Sequence, residues 1–470
     1  MIVTIARKEF KEMVRDGRYI WAVGIVFVLL VASLFAGWRH YAEISRQHVA
    51  AQESQRQMWL AQGEKHPHAA AHYGVFAFKP KLPLSAVDRG LEPYLGVARF
   101  LEAHRQNPVE FRPAADAAPT QKFGELTAAS TLQILAPLLI ILLAYSSFAG
   151  EREQRTLRQL LSLGVASRRL AFGKALGVAA PLFFLLVPAT IIGVIAMALY
   201  AGAGSLLMSA PRMLAMMAGY VVYFAVFICL ALAVSARARS SRQALMILLG
   251  FWFLNSLVAP RVASDVAVAL RPAPSATEFE AAIEVDYKQL PQWEERVAAV
   301  TRRLLAQYGV TTEKELPVLP SAVALDEEEQ DTSRLYETQF NRLNETYLNQ
   351  SRVYQAAACA APMLAVQSLS MGLSGADYAQ HSHFADAAER YRRQLVNTLN
   401  QDIVNHGNTE EAWKYKAGVG LWERIPPFSY EAPDLGWVLK NHLSSAALLA
   451  LWLVAVAVVM AMVVARVKID

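Results

Sequence analysis

Phe148-Ala149-Gly150-Glu151-Arg152-Glu153-Gln154-Arg155-Thr156-Leu157-Arg158-Gln159-Leu160-Leu161-Ser162, continued by Ser167-Arg168-Arg169 and Gly173-Lys174, is a charged stretch set between two long apolar runs. Each flanking run is long enough to cross a bilayer, while the charged stretch is long enough only to turn the chain round. Leu157, Leu160 and Leu161 fall at i, i+3 and i+4, which predicts a short amphipathic helix with one apolar and one charged face. A membrane protein that must grip a soluble partner needs an element of this kind.

Working outward, the 470 residues are 54% hydrophobic, too apolar for an ordinary soluble chain. Six runs have the length and composition of spans: Tyr19–Gly37, Thr131–Ala149, Ala175–Tyr200, Met213–Ser235, Ala244–Pro260 and Leu443–Ala465. The fifth is the shortest. The third holds Pro181 and Pro188, which membrane helices tolerate when neighbours re-satisfy the backbone. The expected fold is an all-α membrane protein of six transmembrane helices with a mostly helical external domain.

Basic residues set the orientation. With the N-terminus in the cytoplasm, the internal pieces are residues 1–18, 150–174, 236–242 and 466–470, with 16 Lys and Arg against 6 Asp and Glu. The external loop from Arg261 to Asn441 is acidic, with 17 Lys and Arg against 25 Asp and Glu. The net charge of +5 therefore divides into a basic inside and an acidic outside. Anionic lipid accounts for the basic part, so nucleic acid is not an expected partner.

The domain reading follows. Residues 1–18 form an interfacial amphipathic helix, with Ile2, Ile5, Phe10 and Met13 on one side and Arg7, Lys8, Lys11, Arg15 and Arg18 on the other. Glu9, Glu12 and Asp16 make the first run (19–37) an uncleaved anchor and not a signal peptide. External loop one, 38–129, begins as a continuation of the first helix. It then becomes irregular, with Val75-Phe76-Ala77-Phe78-Lys79-Pro80-Lys81-Leu82-Pro83 extended by its prolines. Residues 130–260 carry spans two to five, with the amphipathic helix at 150–163.

External loop two, 261–441, is large enough for its own core. Its helical stripes are Phe279, Ile283, Leu290; Trp293, Val297, Val300, Leu304; Tyr336, Phe340, Leu343, Tyr347, Tyr354; and Phe384, Ala388, Tyr391, Leu395, Leu399. Loop one is expected to pack against it. Residues 442–470 are the sixth span and a short tail. Cys229 in a span and Cys359 outside argue against an intramolecular disulfide.

The motifs exclude several chemistries. A phosphate-binding loop needs G-x-x-x-x-G-K-[ST]; here Ala175 follows Gly173-Lys174 and position 168 is arginine. Any ATP used is hydrolysed by a partner. His66, His68 and His72 cluster in loop one, and His381 and His383 follow Asp377. His68 and His72 at i, i+4 have metal-binding spacing on a helix face, but the pattern reads first as a solvated polar face. No metal ligand set, cofactor or catalytic residue is assigned. Gly372-Leu373-Ser374-Gly375 has the form of an intramembrane protease motif but reads as a turn leading into Asp377. The spans hold almost no ionisable residues, which argues against ion-coupled transport and fits an external motor. The turn Arg237-Ala238-Arg239-Ser240-Ser241-Arg242 reads as a topology determinant or a smaller second contact.

Gly150-Glu151-Arg152-Glu153 with Thr156-Leu157, Leu160-Leu161, Ser167-Arg168 and Gly173-Lys174 resembles the signature of ABC-2 type permeases, the membrane subunits of ATP-binding-cassette exporters. That family usually has glycine where Gln154-Arg155 leads into Thr156, and this chain departs there. A narrower bacterial subgroup with two large extracytoplasmic insertions is similar at Asp88-Arg89-Gly90-Leu91, Phe123-Gly124-Glu125-Leu126-Thr127, Gln367-Ser368-Leu369-Ser370-Met371, Ser374-Gly375-Ala376-Asp377, Phe384 and Glu389-Arg390-Tyr391-Arg392.

The resemblance implies a bacterial inner-membrane permease, driven by two copies of a cytoplasmic ABC ATPase and paired with a second copy or a sister permease. Both termini would be cytoplasmic, and the external domain would cap the outer opening or dock a periplasmic partner. Glu151, Arg152, Thr156, Leu157, Leu160 and Leu161 would form the ATPase-coupling helix. Ser167, Arg168 and Lys174 would position re-entry into the third span. Two rival readings are mechanotransmission to the external domain with nothing crossing the spans, and a membrane-anchored enzyme using Ser374 or the histidines.

Overall fold

The computed structural model describes residues 1–116, 126–406 and 413–466. Phe123, Gly124 and Glu125 of the subgroup pattern, and the side chain of Arg18, lie outside the described set.

The chain opens with α1 (Ile2–Arg15) and, after Asp16, α2 (Gly17–Leu60). The 44 residues of α2 make a rod of about 66 Å, twice the roughly 30 Å hydrocarbon thickness, so the first span continues as a stalk. Next come α3 (Pro67–Tyr73), β1 (Val75–Phe78), β2 (Ala98–Glu102), β3 (Arg105–Gln106) and α4 (Pro113–Asp116). The strands form one small antiparallel sheet in the order β1-β2-β3, with Val75 opposite Leu101 and Leu101 opposite Gln106. The segment expected to be extended is β1; its partners are an addition to the all-α expectation.

The second span is composite. Short α5 (Ala128–Ser130), a π turn at Thr131–Leu135 and α6 (Ala136–Ala144) run in sequence to α7 (Ala149–Glu153) and α8 (Thr156–Ser162). The third and fourth spans are α9 (Ser167–Ala201) and α10 (Ala203–Arg237), each of 35 residues. The fifth joins α11 (Ser241–Phe253) to α12 (Ala259–Leu270) through a second π turn, Leu254–Val258. All six expected runs lie on helices long and apolar enough to span. More than half of the apolar stretch is buried in α10 and in the α5–α7 run. Less than a quarter is buried in the other four, which leaves them broad faces for lipid or another chain.

The far side of the bundle carries α13 (Ala276–Tyr287), α14 (Trp293–Tyr308), α15 (Pro320–Ala356), α16 (Pro362–Ser374), α17 (Tyr378–Val404), α18 (Val419–Arg424) and α19 (Leu435–Asn441), before α20 (Leu443–Ala465) returns as the sixth span. The predicted stripes explain the packing. Phe384, Ala388, Leu395 and Leu399 of α17 close one core with Trp59 at the end of α2, Ala70 and Ala71 of α3, Leu101 of β2 and Trp422 of α18. Val300 and Leu304 of α14 close another with Leu316 and Ala324. Loop one thus packs on loop two, as the sequence suggested.

One element departs from the sequence reading. The 13-residue α16 is too short to span and was read as part of the external domain, yet Leu364, Ala365, Val366, Leu369 and Leu373 join the main core of the spans. It wedges against α10 and α20. Gly372-Leu373-Ser374-Gly375 is its C-terminal turn. Gly375 takes the left-handed conformation at φ +85°, and the Ser374 hydroxyl is spent on the Met371 carbonyl at 3.0 Å. Asp377 caps α17 and also meets His442 Nε2 at 2.8 Å.

Candidate functional site

The end of the bundle carrying α1, α7, α8 and the end of α20 is the near end. Its centre is the run Glu151-Arg152-Glu153, and each of the three side chains holds a different neighbour.

Glu151 faces inward. Lys174 of α9 is fully buried and reaches Glu9 Oε1 of α1 at 2.6 Å and Glu151 Oε1 at 3.0 Å, while Lys8 reaches Glu151 at 3.1 Å. The Lys174 ammonium also lies 5.4 Å from the centre of the Phe148 ring. Close approach of α1 to α9 depends on two glycines one turn apart. A Cβ at Gly173 would meet Ile5 at 2.7 Å, and one at Gly177 would meet the Glu9 Cβ at 2.6 Å. Burial pushes the Glu9 carboxyl above the ordinary glutamate range, against the pull of Lys174.

Arg152 turns the other way. It donates to the Ala238 carbonyl at 2.6 Å and the Ala236 carbonyl at 2.7 Å, closing the C-terminus of α10. Glu153 accepts from the Ser241 amide at 3.0 Å and its hydroxyl at 2.7 Å, at the N-terminus of α11. Ser235 of α10 accepts from the amides of Phe148 and Ala149 at 3.0 and 3.1 Å, and donates to the Tyr145 carbonyl at 2.8 Å. The short α7 is therefore fastened to α1, α9, α10 and α11 at once.

A left-handed residue, Arg155 at φ +62°, leads from α7 into α8. This is the place where glycine was expected, and the conformation gives the reason: glycine adopts it without the Cβ penalty. Within α8, Leu157 is only 4% exposed and lies in the main core, with Leu160 and Leu161 half-buried against it. The leucine face thus anchors α8 to its own bundle. The exposed residues are Arg155, Arg158, Gln159, Ser162 and above all Leu163, at 79%. Thr156 Oγ1 donates to the Glu151 carbonyl at 3.3 Å; Ser167 is half-buried as the first residue of α9, and Arg168 is exposed. Beside α8, a cleft of about 1100 Å³ is lined by Arg152, Arg155, Arg158, Arg237, Arg239 and Arg466.

A family model described as ABC-2 family transporter protein matches residues 3–315, two thirds of the chain. The chain belongs to the ABC-2 transporter family. It is a membrane permease subunit of an ABC transporter, a class that sits in the bilayer in association with an ABC ATPase and is not itself catalytic. A second model, described as a domain of unknown function (DUF3526), matches residues 276–431, which takes in α13 to α18. No curated protein matches the chain.

Sequence reasoning named Glu151, Arg152 and Lys174 but missed what they hold. Glu9 was read as a charge of the N-terminal segment, although it lies one turn from both Ile5 and Met13 on the apolar stripe of α1. A lone acid in such a stripe is the signal that a buried cation faces it.

The permease has a second feature that the sequence concealed, at the far end of the spans. A chain of hydrogen bonds runs from Asp88 to Ser370 of α16, then to Tyr220 of α10 at 3.0 Å and Gln133 at 3.0 Å. From there Tyr223 donates to the Gln133 carbonyl at 3.0 Å, and Asn255 accepts from the Met363 amide at 3.1 Å. Gln133 and Asn255 each sit in one of the two π turns. Such turns free backbone groups and frequently mark functional places in helices. Burial raises the Asp88 carboxyl above the usual aspartate range, more than its bonds to Ser370 and Gly90 lower it.

Of the two expected histidine clusters, the second divides. His381 is half-buried beside Arg99 and Arg112, and desolvation together with nearby Lys79, Arg99 and Arg112 brings it down to about 3. His383 meets the Tyr430 hydroxyl at 3.0 Å. His68 and His72 stay together on α3, joined by His104, which the sequence analysis did not include.

Proposed function

We propose that the near end is the coupling surface of an exporter-type permease, driven by two cytoplasmic ABC ATPases. The observation that carries this reading is the fastening of α7. A force on α8 passes through Glu151 to α1 and α9, and through Arg152 and Glu153 to α10 and α11, so one push reaches four helices. The docking face is the exposed side of α8, with Leu163 as its apolar tip and Arg158 and Gln159 beside it. Leu157, Leu160 and Leu161 stiffen the element from behind. The near end is cytoplasmic in this reading, consistent with its basic charge, and the far-end domain is periplasmic. The exposed span faces accommodate a second copy or a sister permease.

Co-expression with the neighbouring ATPase and pull-down in mild detergent tests the docking face. Leu163→Asp is expected to lower ATPase recovery at least tenfold while the permease still inserts and folds. Full recovery with Leu163→Asp would refute this placement of the contact.

A specific observation also favours mechanotransmission. Wedge helix α16 fills the far half of the bundle, and the apolar cleft between α2, α9 and α10 holds only about 100 Å³. In that version the motor moves the external domain and no substrate passes within the chain. Cysteine labelling along α10 separates the two: ATP-dependent water access to Met216 and Tyr220 supports a path, and constant protection supports transmission.

A further inference from the structure

His68 and His72 stand at i, i+4 on α3, one half-buried and the other exposed, with their Nε2 atoms 3.1 Å apart. His104, in the turn between β2 and β3, brings its ring to 5.1 Å from that of His68 and 5.4 Å from that of His72. One ring nitrogen from each of the three lies within 4.8 Å of the others, and among the described residues this is the one group of three or more potential metal ligands so placed. Tetrahedral zinc with bonds of about 2.0–2.1 Å sets its nitrogens roughly 3.3 Å apart. The His68–His72 pair is at that spacing already, and His104 needs only a small ring movement.

The surroundings fix the backbone that carries the three rings before any ion arrives. His66 caps α3 by accepting from the His68 amide, and Pro67 follows at the first helical position. The Ala103 amide donates to the Ala71 carbonyl at 3.2 Å, tying the strand turn to α3. His104 is held at φ +60°, a conformation uncommon outside glycine, by its amide bond to Glu329 Oε2 at 2.6 Å. Glu329 Oε2 also lies 3.2 Å from His104 Nδ1, which leaves Nε2 as the free ligand atom. The 3.2 Å contact falls outside hydrogen-bond geometry as the rings stand, and a small turn of the His104 ring completes the carboxylate–imidazole arrangement that orients metal-bound histidines. Glu329 is anchored in turn by buried Arg392 at 2.6 Å, which also donates to Ser333 at 2.7 Å. His68 Nδ1 is buried without a hydrogen-bond partner among the described residues.

We infer that His68, His72 and His104 form a binding site for a borderline divalent transition-metal cation of the zinc type, open at a fourth position and oriented by Glu329. Neutral imidazoles select such ions over magnesium or calcium, which prefer oxygen ligands. The bound ion ties α3 to the strand turn within loop one, and Glu329 of α15 backs the site from the large domain. The inference is independent of what the spans carry.

The test uses the full chain in detergent micelles, purified through a tag without histidine and stripped with chelator. Zn2+ is titrated in competition with a chromophoric chelator, and Co2+ replaces it for visible spectroscopy. One Zn2+ per chain and a Co2+ band of tetrahedral intensity are expected, with no response to Mg2+ at the same concentrations. His72→Ala removes an exposed ring without disturbing the core, so the melting temperature of the stripped protein stays put while Zn2+ affinity falls at least tenfold. Glu329→Gln lowers affinity about 10- to 100-fold. Absence of stoichiometric Zn2+ binding would overturn the site, as would wild-type affinity in His72→Ala or in the triple variant His68→Ala/His72→Ala/His104→Ala.

Discussion

Replacing Lys174 by methionine tests whether α1 is fastened to the bundle by charge. The Lys174 ammonium touches Glu9 at 2.6 Å and Glu151 at 3.0 Å, so the two carboxylate oxygens lie no more than about 5.6 Å apart. Both side chains are nearly buried, at 8% and 11% exposure. Without Lys174, Glu9 faces Glu151, whose remaining cation is the exposed Lys8 at 3.1 Å, and at an effective dielectric of about 20 the bare repulsion between the two carboxylates is about 3 kcal/mol before Lys8 offsets part of it. Breaking a buried pair by removing one partner costs about 3–5 kcal/mol, which agrees. Methionine keeps the length and apolar stem of the side chain, so the loss is electrostatic. Adding Glu9→Gln removes one of the opposed charges and is expected to return at least about 1.5 kcal/mol of it, the low end of the coupling seen between close charge pairs. The assay is a double-mutant cycle of Lys174→Met and Glu9→Gln by SDS titration in mixed micelles, with limited proteolysis of α1 alongside. A cost below about 1 kcal/mol for Lys174→Met would refute the reasoning. Simple additivity of the two variants would do the same.

Three further outcomes are expected. Arg155→Gly removes the left-handed Cβ penalty and should stabilise the chain by about 1 kcal/mol, read as a raised melting temperature; a fall would show that the Arg155 side chain contributes more than its backbone costs. Asp88→Asn tests the raised Asp88 carboxyl. A group with a raised folded pKa gives stability that is complete below its ordinary value of about 3.9 and is lost as pH rises through the folded value. The variant should therefore melt higher than wild type at pH 8, with the gap closing toward acid, and a variant that melts lower at pH 8 would contradict this. Gly372→Ala places a methyl 2.2 Å from His442 Nε2 and should cost about 1–3 kcal/mol by overpacking, measured as the same melting shift. A neutral result would mean that α16 and α20 are not in contact there.

The six spans were legible because each is a long apolar run, and the basic near end because charge clusters between the runs. The extension of α2 was partly legible, since its helical sequence continues past Gly37. Wedge helix α16 was not. Its 13 residues fall below span length, and its burial comes from meeting α10 at Gly219 and Tyr220, which no local pattern announces. The π turns escaped for a related reason: Gln133 and Asn255 look like isolated polar residues until the backbone distortion gives them partners. Strand β1 showed itself through its prolines, but β2 has no comparable signal. At the candidate site, the leucine triplet of α8 was read correctly as one face and assigned to the partner, while the bundle itself covers it. His104 was invisible as a ligand because 31 residues separate it from His72 and His68 lies farther still; only the β2–β3 turn brings it back.

Helix α2 is unbroken from Gly17 to Leu60. Its first residues adjoin α1, which is clamped to α9 and α7. Its last turn buries Trp59 against Trp422, with the Trp59 indole donating to the Trp422 carbonyl at 3.0 Å. Such a rod cannot absorb a rotation by bending at a hinge, so it behaves as a lever with its fulcrum in the bilayer. The arm from Trp38 to Leu60 is about 35 Å long, and a tilt of about 10° sweeps its tip through about 6 Å. A disturbance at the charged cluster of the near end would therefore reach, at about its full amplitude, a tryptophan pair at the far end of the rod.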